Sequence, residues 1–260
     1  MSEEKEEQRT RLKEAVRFAY DLQKLRIQQS NRAGPQAEES NAVLDEKQKE
    51  FLATAASKLL ALETDAFREM RRVLKDVSIW ETWIKDQKGV GFTMGGVLVS
   101  SIEIEKCNTV SQLWAWCGLA VRDGEAQRRK KGEKANYNPW LKAKLLNVLG
   151  GCLIKANSPW RSFYDNYKTR KGNTRVDKCP VCRGAGIYGP SKTKCYVCDG
   201  ATKAGPYPWA KSDAHLHQAA VRYMVKMFLQ ELWIAWRKLE GFDTRAPYAE
   251  EYLGRKHHAA

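Results

Sequence analysis

The chain has 260 residues, with 45 Lys and Arg against 31 Asp and Glu and a formal charge of +14. A 43% hydrophobic and 10% aromatic content, including nine Trp, supplies a buried core and excludes a disordered chain. No run reaches the ~18 apolar residues of a membrane-crossing helix, and the acidic start Met1-Ser2-Glu3-Glu4 is unlike a signal peptide. The expectation is a cytoplasmic protein with no membrane partner, whose surplus positive charge points to a polyanion, nucleic acid first.

From Glu6 to Gln29, Leu12, Ala15, Val16, Ala19, Leu22 and Leu25 recur at helical spacing. Residues 30–40 contain Gly34-Pro35 and no apolar period, so they read as a turn. A second helix is predicted from near Asn41, with Val43, Leu44, Phe51, Leu52, Ala55, Leu59, Leu60, Leu62, Phe67, Met70, Val73 and Leu74 as its buried stripe. Two such helices form either an antiparallel hairpin or a coiled coil with a second copy of the chain, which would make a homodimer.

Next come a short helix over Trp80–Lys88, a tight turn at Gly89-Val90-Gly91, and an apolar helix from Phe92 to about Ile102. A Gly-hydrophobic-Gly turn between two helices is the pattern of a helix-hairpin-helix unit, whose amides approach any phosphate backbone without reading sequence. The same pattern also occurs in ordinary helix corners.

Thr109-x-x-Gln112 is a capping box opening a short helix that Gly118 closes. Residues 122–134 read as a polar, basic loop, with Arg122, Arg128, Arg129, Lys130, Lys131 and Lys134 as candidate phosphate contacts and Lys142 just beyond them. Asn138-Pro139 starts a Leu-rich helix to about Ala156, and Ser158-Pro159 starts an aromatic one ending in Lys168-Thr169-Arg170-Lys171.

Cys179-x-x-Cys182 and Cys195-x-x-Cys198 are the strongest local signal. Two such pairs supply the four thiolates of a tetrahedral zinc ion, leaving no open position for a substrate, so the metal is structural. Disulfides do not suit a chain without an export signal, and thioredoxin-like redox chemistry lacks its context here. Lys178, Arg183, Lys192 and Lys194 flank the pairs as further backbone contacts. Cys182-Arg183-Gly184-Ala185-Gly186 and Cys198-Asp199-Gly200-Ala201-Thr202 resemble the repeat of the DnaJ zinc module, with Thr202 in place of its last Gly. That resemblance implies a zinc-stabilised hairpin pair. A long helix runs from a Ser212 or Asp213 cap to about Leu239. His215 and His217 point to different faces and do not share a metal. Cys107, Cys117 and Cys152 read as small core residues.

The order Gly89-Val90-Gly91, Thr109 to Trp116, Gly118-Leu119-Ala120, basic loop and Asn138 resembles the C-terminal transposase domain of the insertion-sequence one-ten/one-sixteen/nine-oh-two family. The likeness spans roughly Trp80–Thr169 and resumes over Ala214–Leu239. It implies a role in DNA transposition or recombination of a mobile element or phage, with residues 6–74 as the family's coiled coil and the cysteine module as an insertion. Two family features lack counterparts: the RuvC-like domain with its four acidic residues, and the nucleophilic Ser of the loop, since no Ser lies between Ser111 and Ser158. No catalytic residue is therefore assigned. An active recombinase with a displaced nucleophile, and a structural or adaptor protein, are the alternatives.

The expected fold is mostly α. It comprises a helical hairpin or coiled-coil arm (1–78), a helix-hairpin-helix domain (79–176), a small zinc-bound β-hairpin insertion (177–206), and a terminal long helix with tail (207–260). DNA is the expected partner, RNA the second choice.

Overall fold

In the computed structural model of the chain, the described residues are 3–33, 44–122, 125–129, 131–172, 175–176, 178–179, 181–201, 207–208 and 212–245. They are mostly helical, as the sequence predicts, and belong to two compact units. The first holds the chain up to Asn108 together with Ile234–Thr244; the second holds Thr109–Trp233.

In the first unit, α1 (Glu3–Ala33) and α2 (Glu46–Lys75) form the antiparallel hairpin. Gln8 donates to the Asp76 carbonyl at 2.7 Å, Tyr20 meets Phe67 edge-on at 5.6 Å, and Gln23 and Arg26 bind Glu63, so contacts descend one helix while ascending the other. The α2 start is set by a capping box: Asp45 accepts from the Gln48 amide at 2.8 Å and Gln48 accepts from the Asp45 amide at 3.1 Å. The earlier start expected near Asn41, and Val43 with it, lie outside the described residues.

The expected stripe needs correction. Leu25, Phe51, Leu60 and Leu62 are exposed, Phe51 by 71%, while Leu12, Val16, Ala19, Leu22, Ala66, Met70, Val73 and Leu74 are buried. Where only the other helix of the pair covers it, each helix seals a narrow seam, and one step off that seam faces solvent. The seam of α2 includes Glu63, which the Arg26 hydrogen bond holds below the usual carboxylate range against the opposing effect of burial.

Beyond the hairpin, α3 (Ser78–Thr82) gives way to a 3-10 turn (Ile84–Asp86) where one continuous short helix was expected. Gly89, at φ +94°, reverses the chain, and Gly91 caps α4 (Phe92–Ser101). Met94 to Ser100 are all buried, as in a core helix rather than an amphipathic one. Two glycines permit this. A Cβ on Gly95 would stand 2.4 Å from the Trp80 ring, and one on Gly96 would stand 3.1 Å from Met70 Sδ and 3.3 Å from Val16. The Arg237 side chain is also buried in this unit, donating to the carbonyls of Cys107 at 3.1 Å, Ile104 at 3.3 Å and Asp243 at 2.8 Å.

In the second unit, α5 (Val110–Trp116) starts at the expected box, with both Thr109–Gln112 hydrogen bonds at 3.2 Å, and ends at Gly118, φ +69°. Asn138 caps α6 (Pro139–Ala143) by accepting from the Leu141 amide at 3.0 Å. The helix continues through a π turn (Lys144–Leu149) into α7 (Gly150–Lys155). Leu141, Leu145, Leu149 and Leu153 are buried, as expected. Cys152 is exposed, which corrects its reading as a core residue: Leu149 and Leu153 occupy the inner face of that turn. Cys107 and Cys117 are buried, and burial pushes the Cys107 thiol up to about 11.

Helix α8 (Arg161–Gly172) meets α9 (Asp213–Leu239) through an aromatic ladder. Trp160 contacts Phe228 at 5.5 Å, Phe163 contacts Tyr223 at 6.2 Å, and Tyr164 Oη lies 2.8 Å from His217 Nδ1. Ser212 rather than Asp213 caps α9, accepting from the His215 amide. The long helix contributes residues to both units.

Candidate metal centre and cationic loop

The chain between α8 and α9 leaves and returns through a two-rung antiparallel ladder, β3 (Arg175–Val176) against β6 (Tyr207–Pro208). Within it, β4 (Ile187–Tyr188) pairs with β5 (Thr193–Lys194) as a hairpin between the two cysteine pairs. Each pair turns alike. The Ala185 amide donates to the Cys182 carbonyl and the Ala201 amide to the Cys198 carbonyl, both at 2.9 Å. Arg183-Gly184 and Asp199-Gly200 all have positive φ, so the glycines are there for backbone reasons. Thr202, where the repeat departs, lies outside the described residues.

These turns bring four sulfurs together. Cys179, Cys182, Cys195 and Cys198 are buried, and their sulfur atoms all lie within 4.8 Å of one another. Cys179 and Cys195 Sγ are 3.9 Å apart, and Cys182 and Cys198 Sγ are 3.5 Å apart. Four thiolates at ~2.3 Å from a tetrahedral ion stand about 3.8 Å from one another, so the set fits such an ion with little adjustment. These separations are also well beyond a ~2.05 Å disulfide bond.

The surroundings favour thiolate at Cys182 and Cys195 and the protonated thiol at Cys198. Burial opposes ionisation of Cys182, yet the Gly186 amide, donating to its sulfur at 3.3 Å, and the Cys198 sulfur outweigh it and bring its thiol down to about 6. Burial and the neighbouring sulfurs push Cys198 up to about 12, as expected where one thiolate must share space with another until a cation balances them.

The basic segment does not begin as a loop. Val121–Arg122 (β1) pairs antiparallel with Glu125–Ala126 (β2), leaving Asp123-Gly124 as the connection. The segment that follows is pinned at Gln127: its amide donates to the Ala120 carbonyl at 3.0 Å, its side chain donates to Asn136 at 2.9 Å, and its carbonyl accepts from Lys142 Nζ at 2.5 Å. Lys142 also lies over the Tyr137 ring at 5.0 Å and is half-buried, and burial with Arg222 and Arg128 nearby lowers its pKa. Arg128, Arg129, Lys131 and Lys134 are exposed, and none of them forms an ion pair with a described residue. The Arg122 side chain and Lys130 lie outside the described residues.

At the glycine corner Val90 is buried and its side chain faces the core, while Gly91 is exposed with nothing within 4 Å of its Cβ position. No side chain caps α4 there. The corner belongs to the first unit and the basic loop to the second. Around the cysteines, Lys178, Arg183, Lys192 and Lys194 are exposed, and Lys194 pairs with Asp199 at 2.9 Å.

Sequence reasoning missed the pairing of β1 with β2, and missed the Gln127 anchor, which no local pattern announces. No family model, no curated protein and no solved structure matches the chain. The likeness to a transposase domain therefore rests on the motifs themselves. Among the described residues, no helix is long and apolar enough to cross a membrane.

Proposed function

We propose that the chain binds nucleic acid, DNA in preference to RNA, as a relative of a transposase C-terminal domain acting in transposition or recombination of a mobile element or phage. The observation that carries this reading is the anchored cationic segment: Arg128, Arg129, Lys131 and Lys134 are exposed, with no ion pair to a described residue, beside a backbone fixed at Gln127. Cations held in place but not neutralised suit a phosphate backbone, whose bound counterions they release. The uncapped start of α4 at Gly91 offers further amides to phosphate.

In the same reading the ion on the four cysteines is zinc, the d¹⁰ ion that four thiolates suit best, and its role is structural. Pairing of two chains through the N-terminal hairpin is supported by the exposed Phe51, Leu60 and Leu62.

The test is duplex DNA and RNA binding across a salt series. Log affinity should fall linearly with log salt, and replacing Arg128, Arg129, Lys131 and Lys134 with Gln should lower the slope by about 0.9 for each phosphate no longer neutralised, equally for unrelated sequences. Absence of binding at low salt, or a slope unmoved by the substitutions, overturns it.

A further inference from the structure

The second unit carries a group of cations that no carboxylate of the described residues answers. Arg222 and Lys226 stand one turn apart on α9, a spacing at which like charges destabilise a helix. Both are half-buried, and Arg222 Nε is buried with no hydrogen-bond partner among the described residues. The Lys226 ammonium lies 3.9 Å from the centre of the Trp114 ring, which is itself fixed by its Nε1 donating to the Lys226 carbonyl at 3.0 Å.

Two more cations stand within electrostatic reach of Arg222. Arg128 and Arg222 each repel Lys142, and Arg128 also repels Arg222. None of the four is ion-paired with a described residue, and the nearby Tyr167 phenol is kept neutral by burial, which raises its pKa. Burial beside Arg222 brings Lys226 down to about 8.

Like charges gathered in a half-buried place raise the energy of the ligand-free chain, whereas a multivalent anion binding there relieves both repulsion and desolvation. The donors suit phosphate: guanidinium forks for paired oxygens, and ammoniums that act as point charges, Lys142 having spent one of its three donors on Gln127. We propose that Arg222, Lys226, Lys142 and Arg128 form a binding site for a single phosphate group, carried by a polynucleotide end or by a small phosphate anion. The site shares Arg128 with the backbone grip proposed above, but its central pair, Arg222 and Lys226, is sheltered on a helix, whereas the rest of that grip lies in the exposed loop.

The experiment titrates the full chain with inorganic phosphate by calorimetry and thermal melting, against chloride of equal ionic strength. Wild type is compared with Arg222→Met and Lys226→Met, whose unbranched side chains preserve most of the packing. Saturable binding that weakens about tenfold or more in each variant is expected, since a hydrogen bond to a charged group is worth that much. The ligand-free variants should melt at or above the wild-type temperature, because an uncompensated charge has been removed.

A second arm compares oligonucleotides with and without a 5′-phosphate. A preference for the phosphorylated form that Lys226→Met abolishes assigns the group to a polynucleotide end; phosphate binding without that preference assigns a small anion. Phosphate acting no differently from chloride, binding unchanged in both variants, or ligand-free variants that melt well below wild type would each overturn the site. Arg129→Gln with Lys131→Gln should weaken oligonucleotide binding and leave phosphate binding intact. Absence of oligonucleotide binding alongside intact phosphate binding sinks the nucleic-acid reading and keeps the site.

Discussion

The cysteine module and the N-terminal hairpin are held together by opposite means. In the hairpin, α1 and α2 bury a seam of Leu12, Val16, Ala19, Leu22, Ala66, Met70, Val73 and Leu74, and α4 adds a helix that is apolar nearly all round. In the module, the buried cluster is the four cysteines themselves, with Val181 packed against it, while Ile187, Tyr188, Tyr196 and Val197 are exposed. The hairpin keeps its stability in distributed apolar area, so it tolerates small losses. The module has only these four sulfurs to gather around, and with a metal ion on them ion binding and local folding would become the same event, leaving no tolerance for losing a ligand.

The largest test of this contrast is removal of the metal. Chelation, or Cys179→Ser with Cys182→Ser, should release one ion per chain and abolish amide exchange protection across residues 181–201. Binding worth roughly 10–16 kcal/mol in small zinc peptides is the folding energy at stake. Protection in α1 and α2 should not change. A module that stays protected without metal breaks the comparison.

The reverse test comes from Arg237→Ala, which leaves the carbonyls of Ile104, Cys107 and Asp243 without their donor. A loss of about 3 kcal/mol in chemical denaturation of the first unit is expected, with metal content unchanged. A smaller effect, about 2 kcal/mol, is expected from Gly96→Val, since the new side chain must displace Met70 and Val16. It too should leave the metal in place.

What the sequence disclosed follows the range of the interactions involved. Thr109 with Gln112, Gly118, Asn138-Pro139 and the cysteine pairs act within a few residues of themselves, so their structure is written locally. Asp45 with Gln48 belongs to the same class and was readable from the same pattern. The hairpin seam was legible as two amphipathic helices but not in register, because Leu60 and Leu62 are as apolar as Met70 and only the partner helix decides which are covered. Glu63 illustrates the limit: its place in the seam depends on Arg26, 37 residues away. Gly95, Gly96 and Arg237 likewise answer to neighbours 15 or more residues away in the chain. The four clustered cysteines were legible in full, whereas the cationic segment was legible only as charge.

The β3–β6 ladder has an architectural corollary. Directly paired residues in such a ladder stand about 5 Å apart, so the polypeptide departs and rejoins at nearly one point. Whatever occupies the interval imposes no spacing on α8 or α9. The cysteine knuckles can accordingly be trimmed, lengthened or exchanged for a reporter domain while the flanking helices keep their alignment, which makes this neck the natural graft point of the molecule.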